Sequence, residues 1–492
     1  MSADDRTGLG ADAARGVGIL VSRTLVLQLL TAGVTIVLAR ILSPADYGLF
    51  ALAVAVQAVA QVTSGAGLSA ALIRQPDDPS PRQQRAVTGF LFSSGLGFSA
   101  LAAAIAFAGL PAIDVTSDSL KVIAATTLAV PIYALRAVPM VLLERHLRFG
   151  RVALVETAET LSFNAFALAG ALAGLGAYSL AGAVPVAAAA GLLTVRALHR
   201  RGPGLSLDFG AIRPLAHFGL RASFLQMATL ARGLGFVTLV TAIGGTPMTG
   251  FYAMSTRLFA FPAALASAVQ RVSFPALSRS AHERPRRAGR TAALSGTLAS
   301  LPIALLAGCS HALVAVLLGD RWLPTVDLVL ASSPGVLLAT SATPAMVGLA
   351  LSEGRPRGPI VAVACSAVAM AGGCLAAVPP LGTAGVGIAL SVSVMVSVVV
   401  LGLHTEAAMR AAAFPVGRAL AVGSVAAVAG YLVTLPETWV GLGLRLILIA
   451  AVWAGLGAWL MRPELLAALR ISRPMLPCRL LGLVARRRDH RL

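Results

Sequence analysis

Charge is what this chain has least of. Only 12% of its 492 residues are Asp, Glu, Lys or Arg, against about 25% in a soluble domain. Acidic groups are the scarcer kind, 20 against 39 basic ones. With 57% hydrophobic residues and a mean hydropathy of +0.84, that scarcity excludes a soluble globular protein. Cysteine is rare too. Cys309, Cys365, Cys374 and Cys478 have no metal-ligand spacing, and three of them lie in apolar runs, as packing residues do. His217, His311 and His404 stand alone and make no metal site. Lys121 is the single lysine, and no Gly-rich loop ending in Lys is present, so ATP is not the energy source within this chain. No cofactor is expected. The polar stretch from Met1 to Arg15 lacks a signal-peptide cleavage pattern, so its removal is not expected.

What the chain has in abundance is apolar runs of about 20 residues, each long enough to cross a bilayer. Fourteen can be counted between residues 17 and 461, which predicts an all-α polytopic membrane protein with both termini on one side. The net charge of +19 does not form one basic face, so nucleic acid is not an expected partner. The basic residues sit at the ends of the runs. Connections on one side, with the terminal segments, carry 30 of the 39; those on the other carry Arg40, Lys121, Arg321 and Arg445. By the positive-inside rule the first side, with both termini, is cytoplasmic. The connections on the poor side are short, as Gly174-Leu175-Gly176-Ala177 and Gly244-Gly245-Thr246-Pro247 show, so no separate domain is expected there.

One stretch has an echo. Pro44 followed by Gly48-Leu49-Phe50-Ala51 returns as Pro247 followed by Gly250-Phe251-Tyr252-Ala253. The offset is 202 for Gly48 to Gly250, 209 for Glu144 to Glu353 and 206 for Gly176 to Gly382. Near-constant offsets predict two six-helix lobes from an internal duplication, a known transporter design with a path between the repeats. The expected layout is a cytoplasmic N-terminus (1–16), an N-lobe (17–200), a linker (201–213) and a C-lobe (214–404). Two additional helices (405–461) and a basic cytoplasmic tail (462–492) complete it.

These motifs carry a resemblance. Ala39-Arg40-Ile41-Leu42-Ser43-Pro44-Ala45-Asp46-Tyr47-Gly48, Glu144-Arg145-His146-Leu147-Arg148-Phe149 and Gly250-Phe251-Tyr252-Ala253 come first. Phe274-Pro275-Ala276-Leu277-Ser278, Gly319-Asp320-Arg321-Trp322 and Glu353-Gly354-Arg355 follow in order. Together they resemble the polysaccharide transporter family of Wzx-like flippases, within the multidrug/oligosaccharidyl-lipid/polysaccharide exporter superfamily. The resemblance implies a transporter in the bacterial plasma (inner) membrane. It implies movement of a polyprenyl-diphosphate-linked oligosaccharide, a precursor of exopolysaccharide, O-antigen or similar polymer, from the inner to the outer leaflet. The polymerase and glycosyltransferases of such a pathway are candidate partners beside the bilayer and the lipid-linked sugar. Where the family leads one to expect an acidic residue shortly after Arg232, this chain has Gly233-Leu234-Gly235.

Five arginines fall inside predicted spans: Arg23, Arg136, Arg221, Arg232 and Arg257. A charge at mid-membrane costs about 2.5–3.5 kcal/mol or more, so it lines a cavity or finds a partner. Guanidinium groups suit a diphosphate through bidentate, charge-assisted hydrogen bonds, and all five are candidate diphosphate ligands. For Arg23 and Arg221 the alternative is snorkelling from a helix end. Glu156 and Glu159 are the clear intramembrane carboxylates, three apart and so on one helical face. They are candidates to hold a coupling proton or Na⁺ drawn by a transmembrane gradient; the alternative is a salt bridge to Arg23 or Arg136.

The leading expectation is therefore a flippase, a transporter and not an enzyme. A cation-coupled multidrug exporter of the same superfamily would place acidic groups in its cavity, and here basic groups dominate. An integral-membrane polymerase, ligase or glycosyltransferase would need a substantial outer loop. A purely structural membrane protein would have no use for arginines inside its spans.

Overall fold

The structure, a computed structural model, describes residues 26–65, 67–75, 78–108, 117–146, 148–198, 204–264, 284–462 and 464, with the backbone alone for 70, 73, 74, 107, 108, 117 and 216–223. The chain is an all-α polytopic membrane protein. Its helices are α1 (Val26–Ile41), α2 (Pro44–Gly65), α3 (Leu68–Arg74), α4 (Pro81–Ala108) and α5 (Ser117–Thr127). Next come α6 (Ala129–Arg145), α7 (Phe149–Leu172), α8 (Ala177–Leu198), α9 (Phe209–Leu258) and α10 (Arg284–Gly308). The last are α11 (Pro324–Ser352), α12 (Arg357–Leu381), α13 (Thr383–His404), α14 (Glu406–Leu432) and α15 (Trp439–Leu460). Twelve described helices are long and apolar enough to cross a membrane, and α1 is a shorter apolar helix.

The α9 helix accounts for two predicted spans. It is broken at Gly245, whose φ of 74° and ψ of 180° interrupt the helix where the sequence placed a turn. A glycine takes that left-handed φ without a Cβ penalty, and Pro247 restarts the helix with its ring-fixed φ. The first arm of α9 runs to Gly244 and the second from Thr246. The fourteen predicted segments are thus all helical where described.

Several ends differ from the expected ones. The first arm of α9 begins at Phe209 rather than 214, because Asp208 accepts from the Ala211 amide and caps it. The α14 helix begins at Glu406, ten residues before the apolar run at 416; an Arg410–Glu406 ion pair, four residues apart, lies on that polar first turn. Residues 17–25 of the first predicted span and nearly all of the basic tail lie outside the described residues.

Packing follows membrane rules. Lipid tails are as apolar as leucine, so close approach and interhelical hydrogen bonds hold such helices together. Six alanines, among them Ala39, Ala167 and Ala183, interleave with larger residues in the largest core, which includes Tyr47 and Trp322, both fully buried. Polar contacts tie the last two helices to the bundle through Trp453 and to each other through Arg418. Trp453 Nε1 donates to Ser300 Oγ at 2.9 Å, and Arg418 donates to the Leu460 carbonyl at 2.7 Å and to Glu464 at 3.0 Å.

Candidate functional site

Ser43 and Asp46 shape the start of the site. The Ser43 amide and hydroxyl both donate to Asp46 Oδ2, at 2.9 and 2.7 Å, and the Asp46 amide donates to Ser43 Oγ at 3.2 Å. This reciprocal cap, with Pro44 as the first helical residue, turns the chain sharply from α1 into α2. It sets Tyr47 and Gly48 on the first turn of α2, where α2 crosses the second arm of α9. Gly48 and Gly250 let the two backbones touch: a methyl on Gly48 would stand 3.0 Å from the Gly250 amide nitrogen and overlap the Thr246 carbonyl.

A polar and aromatic seal surrounds the crossing. After α10 the chain continues through Ser310–Leu313 into a π-helical turn, Val314–Leu318. Such a turn sits at a helix end, where carbonyls lack partners. Arg40, at the end of α1, reaches across to supply them: Nε donates to the Leu317 carbonyl at 3.0 Å and a terminal nitrogen to the Val316 carbonyl at 2.6 Å. Arg321 returns a bond to the Arg40 carbonyl at 3.2 Å, and Trp322 Nε1 donates to the Ala39 carbonyl at 2.9 Å. The Trp322 ring meets Tyr47 edge-on at 5.2 Å and Phe251 at 6.1 Å. Each such aromatic pair contributes about 0.5–1.5 kcal/mol.

Arg257 lies seven residues along α9 from Gly250, about 10 Å away at 1.5 Å per residue. Its guanidinium sits 5.0 Å from the Tyr47 ring centroid and 6.0 Å from that of Phe50, and one nitrogen is 3.5 Å from Thr35 Oγ1. It therefore projects from the second half of the chain onto α1 and α2 of the first. Among the described residues it has no salt bridge.

Arg232 belongs to another place. It is half-buried between the first arm of α9 and α12, with one terminal nitrogen 3.4 Å from Ser366 Oγ and its buried Nε without a partner. No carboxylate forms a salt bridge with it among the described residues.

Arg136 does have one. Its guanidinium is 2.8 Å from Glu159 Oε1 and 4.8 Å from the Tyr133 ring centroid. The pair lies inside the first half, between α6 and α7, and the carboxylate rests against Gly191 of α8, where a side chain would overlap it. Of the two alternatives for Glu159, ion holder or partner of Arg136, the geometry has the ion pair. Glu156 lies one turn earlier, its backbone carbonyl accepting from Thr160 Oγ1 at 2.8 Å. Arg23 lies outside the described residues, and so does the side chain of Arg221.

The structure thus does not gather the predicted arginines at one point. Arg257 faces the crossing, Arg232 faces α12, and Arg136 is held by a carboxylate. Two half-buried cations without carboxylates make the interior suited to an anion. The seal residues Arg40, Tyr47 and Trp322 were not among the predicted site residues. Their signal was nevertheless visible, since three of the motifs that carry the resemblance, 39–48, 250–253 and 319–322, converge here.

Comparison with known proteins gives the following. The pattern of the family described as polysaccharide biosynthesis protein matches residues 37–327. The succinoglycan biosynthesis transport protein ExoT of Rhizobium meliloti (strain 1021) is 26% identical over 317 residues, 62% of this chain and 63% of that protein. The match thus spans a little under two thirds of the curated relative's length. Among solved structures, lipid II flippase MurJ in an inward closed conformation superposes with a TM-score of 0.73 at 11% identity, covering 91% of this chain and 99% of that one. An inward-facing multidrug resistance MATE family transporter of the MOP superfamily superposes with a TM-score of 0.60 at 16% identity, covering 80% of this chain and 98% of that one. At such identities the two structures show a shared fold.

Proposed function

The chain belongs to the polysaccharide biosynthesis protein family, and from that membership we propose that it is a flippase for a lipid-linked oligosaccharide, moving a polyprenyl-diphosphate-linked sugar across the bacterial plasma membrane. The observation that carries this reading is Arg257: a half-buried guanidinium at the crossing of the two halves, packed on Tyr47 and Phe50, with no salt bridge among the described residues. A fixed cation on a path between lobes favours a phosphate-bearing substrate and disfavours the cationic drugs of a multidrug exporter. The names of the relatives, a succinoglycan transport protein and a lipid II flippase, support the same class.

The arginine distribution supports cytoplasmic termini. The Gly48–Gly250 crossing and its seal then lie at the extracytoplasmic end, and this conformation is the one closed to the outside. Alternating access requires that end to part. Glu159 is held by Arg136, so a proton or Na⁺ would compete with a guanidinium there, and we assign the gradient as the energy source without assigning it a carboxylate. Glycosyltransferases and a polymerase are the partners expected upstream and downstream.

The test is export of lipid-linked sugar in cells whose only copy carries Arg257→Ala or Arg257→Lys. Arg257→Ala lowers export at least tenfold at normal protein level. Arg257→Lys restores part of it, because a point charge cannot reproduce the planar fork. Full export by Arg257→Ala at wild-type abundance overturns the reading.

A further inference from the structure

A cleft of about 550 Å³ separates the first arm of α9 from α12. Phe224, Ala228 and Phe236 line one wall, and Val363, Ala367 and Met370 line the other. Its volume falls within the roughly 300–1,000 Å³ range of small-molecule sites. Among the described residues, Arg232 is the only charged one that lines it. Among the described residues the guanidinium's one hydrogen bond is the 3.4 Å contact with Ser366 Oγ, and its buried Nε has no partner. A buried donor left unmet costs about 1–3 kcal/mol, more when charged.

Depth narrows the occupant. Arg232 is twelve residues from the arm's end at Gly244, about 18 Å at 1.5 Å per residue. In a hydrocarbon layer about 30 Å thick that is the central third. An ordinary phospholipid keeps its head group at the interface and would have to sink far into the layer to reach this cation. A hydrated inorganic anion gains nothing from walls of Ala, Val, Phe and Met. A lipid whose phosphate is itself crossing the membrane satisfies both conditions, since its chain can lie along the apolar walls.

We propose that this cleft holds the phosphate end of the transported lipid midway through its crossing, with Arg232 as the phosphate ligand. The proposal rests on the lipid-linked-sugar reading above. The lipid chain travels against α9 and α12, and its phosphate end is held by Arg232 midway and by Arg257 at the crossing.

The test uses the full-length protein in phosphatidylcholine vesicles with an isoprenyl diphosphate that bears a benzophenone on its chain. After irradiation, labelled peptides are mapped by mass spectrometry. The expected label falls on residues 224–239 and 360–371. Unlabelled isoprenyl diphosphate reduces it at least tenfold, while isoprenol and phosphatidylglycerol at the same mole fraction do not. Arg232→Ala lowers the label in the cleft tenfold, and Ala367→Trp, which fills the cleft, removes it and slows export. If Ala367→Trp does not insert, the wild-type map and its competition decide. Label confined to the crossing around Arg257, with export intact, overturns the cleft and leaves the flippase reading standing. Equal competition by phosphatidylglycerol overturns it as well, by making the cleft a general anionic-lipid site. Failure to label any part of the protein, together with no export of lipid-linked sugar, removes both.

Discussion

Gly48 and Gly250 meet by an exchange. A methyl on Gly48 would overlap the carbonyl oxygen of Thr246, and a methyl on Gly250 would overlap the carbonyl oxygen of Pro44. Thr246 follows Pro44 by 202 residues, as Gly250 follows Gly48. The contact is therefore reciprocal, each glycine meeting the carbonyl four residues before the other. Such small-residue crossings allow backbone carbonyls to approach α-carbons, each contact contributing about 0.5–1 kcal/mol.

Gly48→Ala is expected to keep the crossing from closing, since even one methyl has no room. Gly250→Ala should do the same, because the contact is reciprocal. In a background free of native cysteine, Thr246→Cys should then react at least fivefold faster with a membrane-impermeant maleimide added outside. Unchanged reactivity in both variants would mean that the crossing does not control access.

Arg40→Ala leaves the Val316 and Leu317 carbonyls without their cross-chain donor. Hydrogen bonds from a charged group contribute about 1.5–3 kcal/mol each, less at an exposed site. A net loss of about 1–2 kcal/mol shifts the balance between closed and open forms roughly five- to thirtyfold. The same maleimide assay reads this shift, and Arg40→Lys should recover less than half of it, having one point of attachment instead of a fork.

Glu159→Gln removes the carboxylate beside Arg136 and leaves a guanidinium with most of its surface buried. Breaking such a pair costs about 3–5 kcal/mol when fully buried, and less here, where about a sixth of each side chain is open. The expected result is lower abundance and a lower melting temperature. Gly191→Ala should copy it, because the new methyl displaces the carboxylate. Should export by Glu159→Gln instead change its dependence on an imposed proton or Na⁺ gradient at unchanged melting temperature, the pair is an ion site and not a strut.

Asp78 supplies a pH-dependent term outside the spans. Arg145 Nε donates to its carboxylate at 2.8 Å, and the same guanidinium donates to the Leu72 and Gln75 carbonyls at 3.1 and 2.7 Å. The His146 ring stands 3.4 Å from the other Asp78 oxygen. The hydrogen bond from Arg145 comes first in holding the Asp78 carboxyl below its usual range. A carboxylate lowered in the fold adds stability above its unfolded value, about 3.9. That contribution fades as pH falls through the lower folded value. The melting temperature of the wild type should therefore exceed that of Asp78→Asn at pH 6, and the gap should narrow as pH falls below about 3.9. A gap that does not narrow as the pH falls would assign the loss to something other than this charge.

The helices were legible because apolar runs and arginine-rich ends announce them, and the echo of Gly48 in Gly250 marked two residues that the fold brings together. Backbone partners announce nothing. Arg40 and Trp322 bond to the carbonyls of Val316, Leu317 and Ala39, groups every residue has, so no side-chain pattern marks the seal. For the arginines, the sequence showed too few carboxylates but not which cation would obtain one. Glu159 pairs with Arg136 because α6 and α7 set them side by side, 23 positions apart in sequence. Whether Arg232 and Arg257 shared a cavity also depended on which neighbour each helix face met, α12 for one and α1 with α2 for the other.

The first arm of α9 has a mechanical consequence. Its opening turns are anchored in the first half, where Ile212 and Leu215 pack among Leu68, Leu72, Val87 and Val138, and Phe209 stacks edge-on with Phe90 at 6.5 Å. Its later turns are anchored in the second half, where Phe236 and Val240 pack with Leu328, Met370 and Val386. One continuous helix is thus packed at its two ends into different hydrophobic clusters, one in each half of the chain. It cannot act as a slack tether. Whenever one half rocks against the other, this rod must flex or twist between residues 216 and 235, and its stiffness becomes a spring constant in the transport cycle.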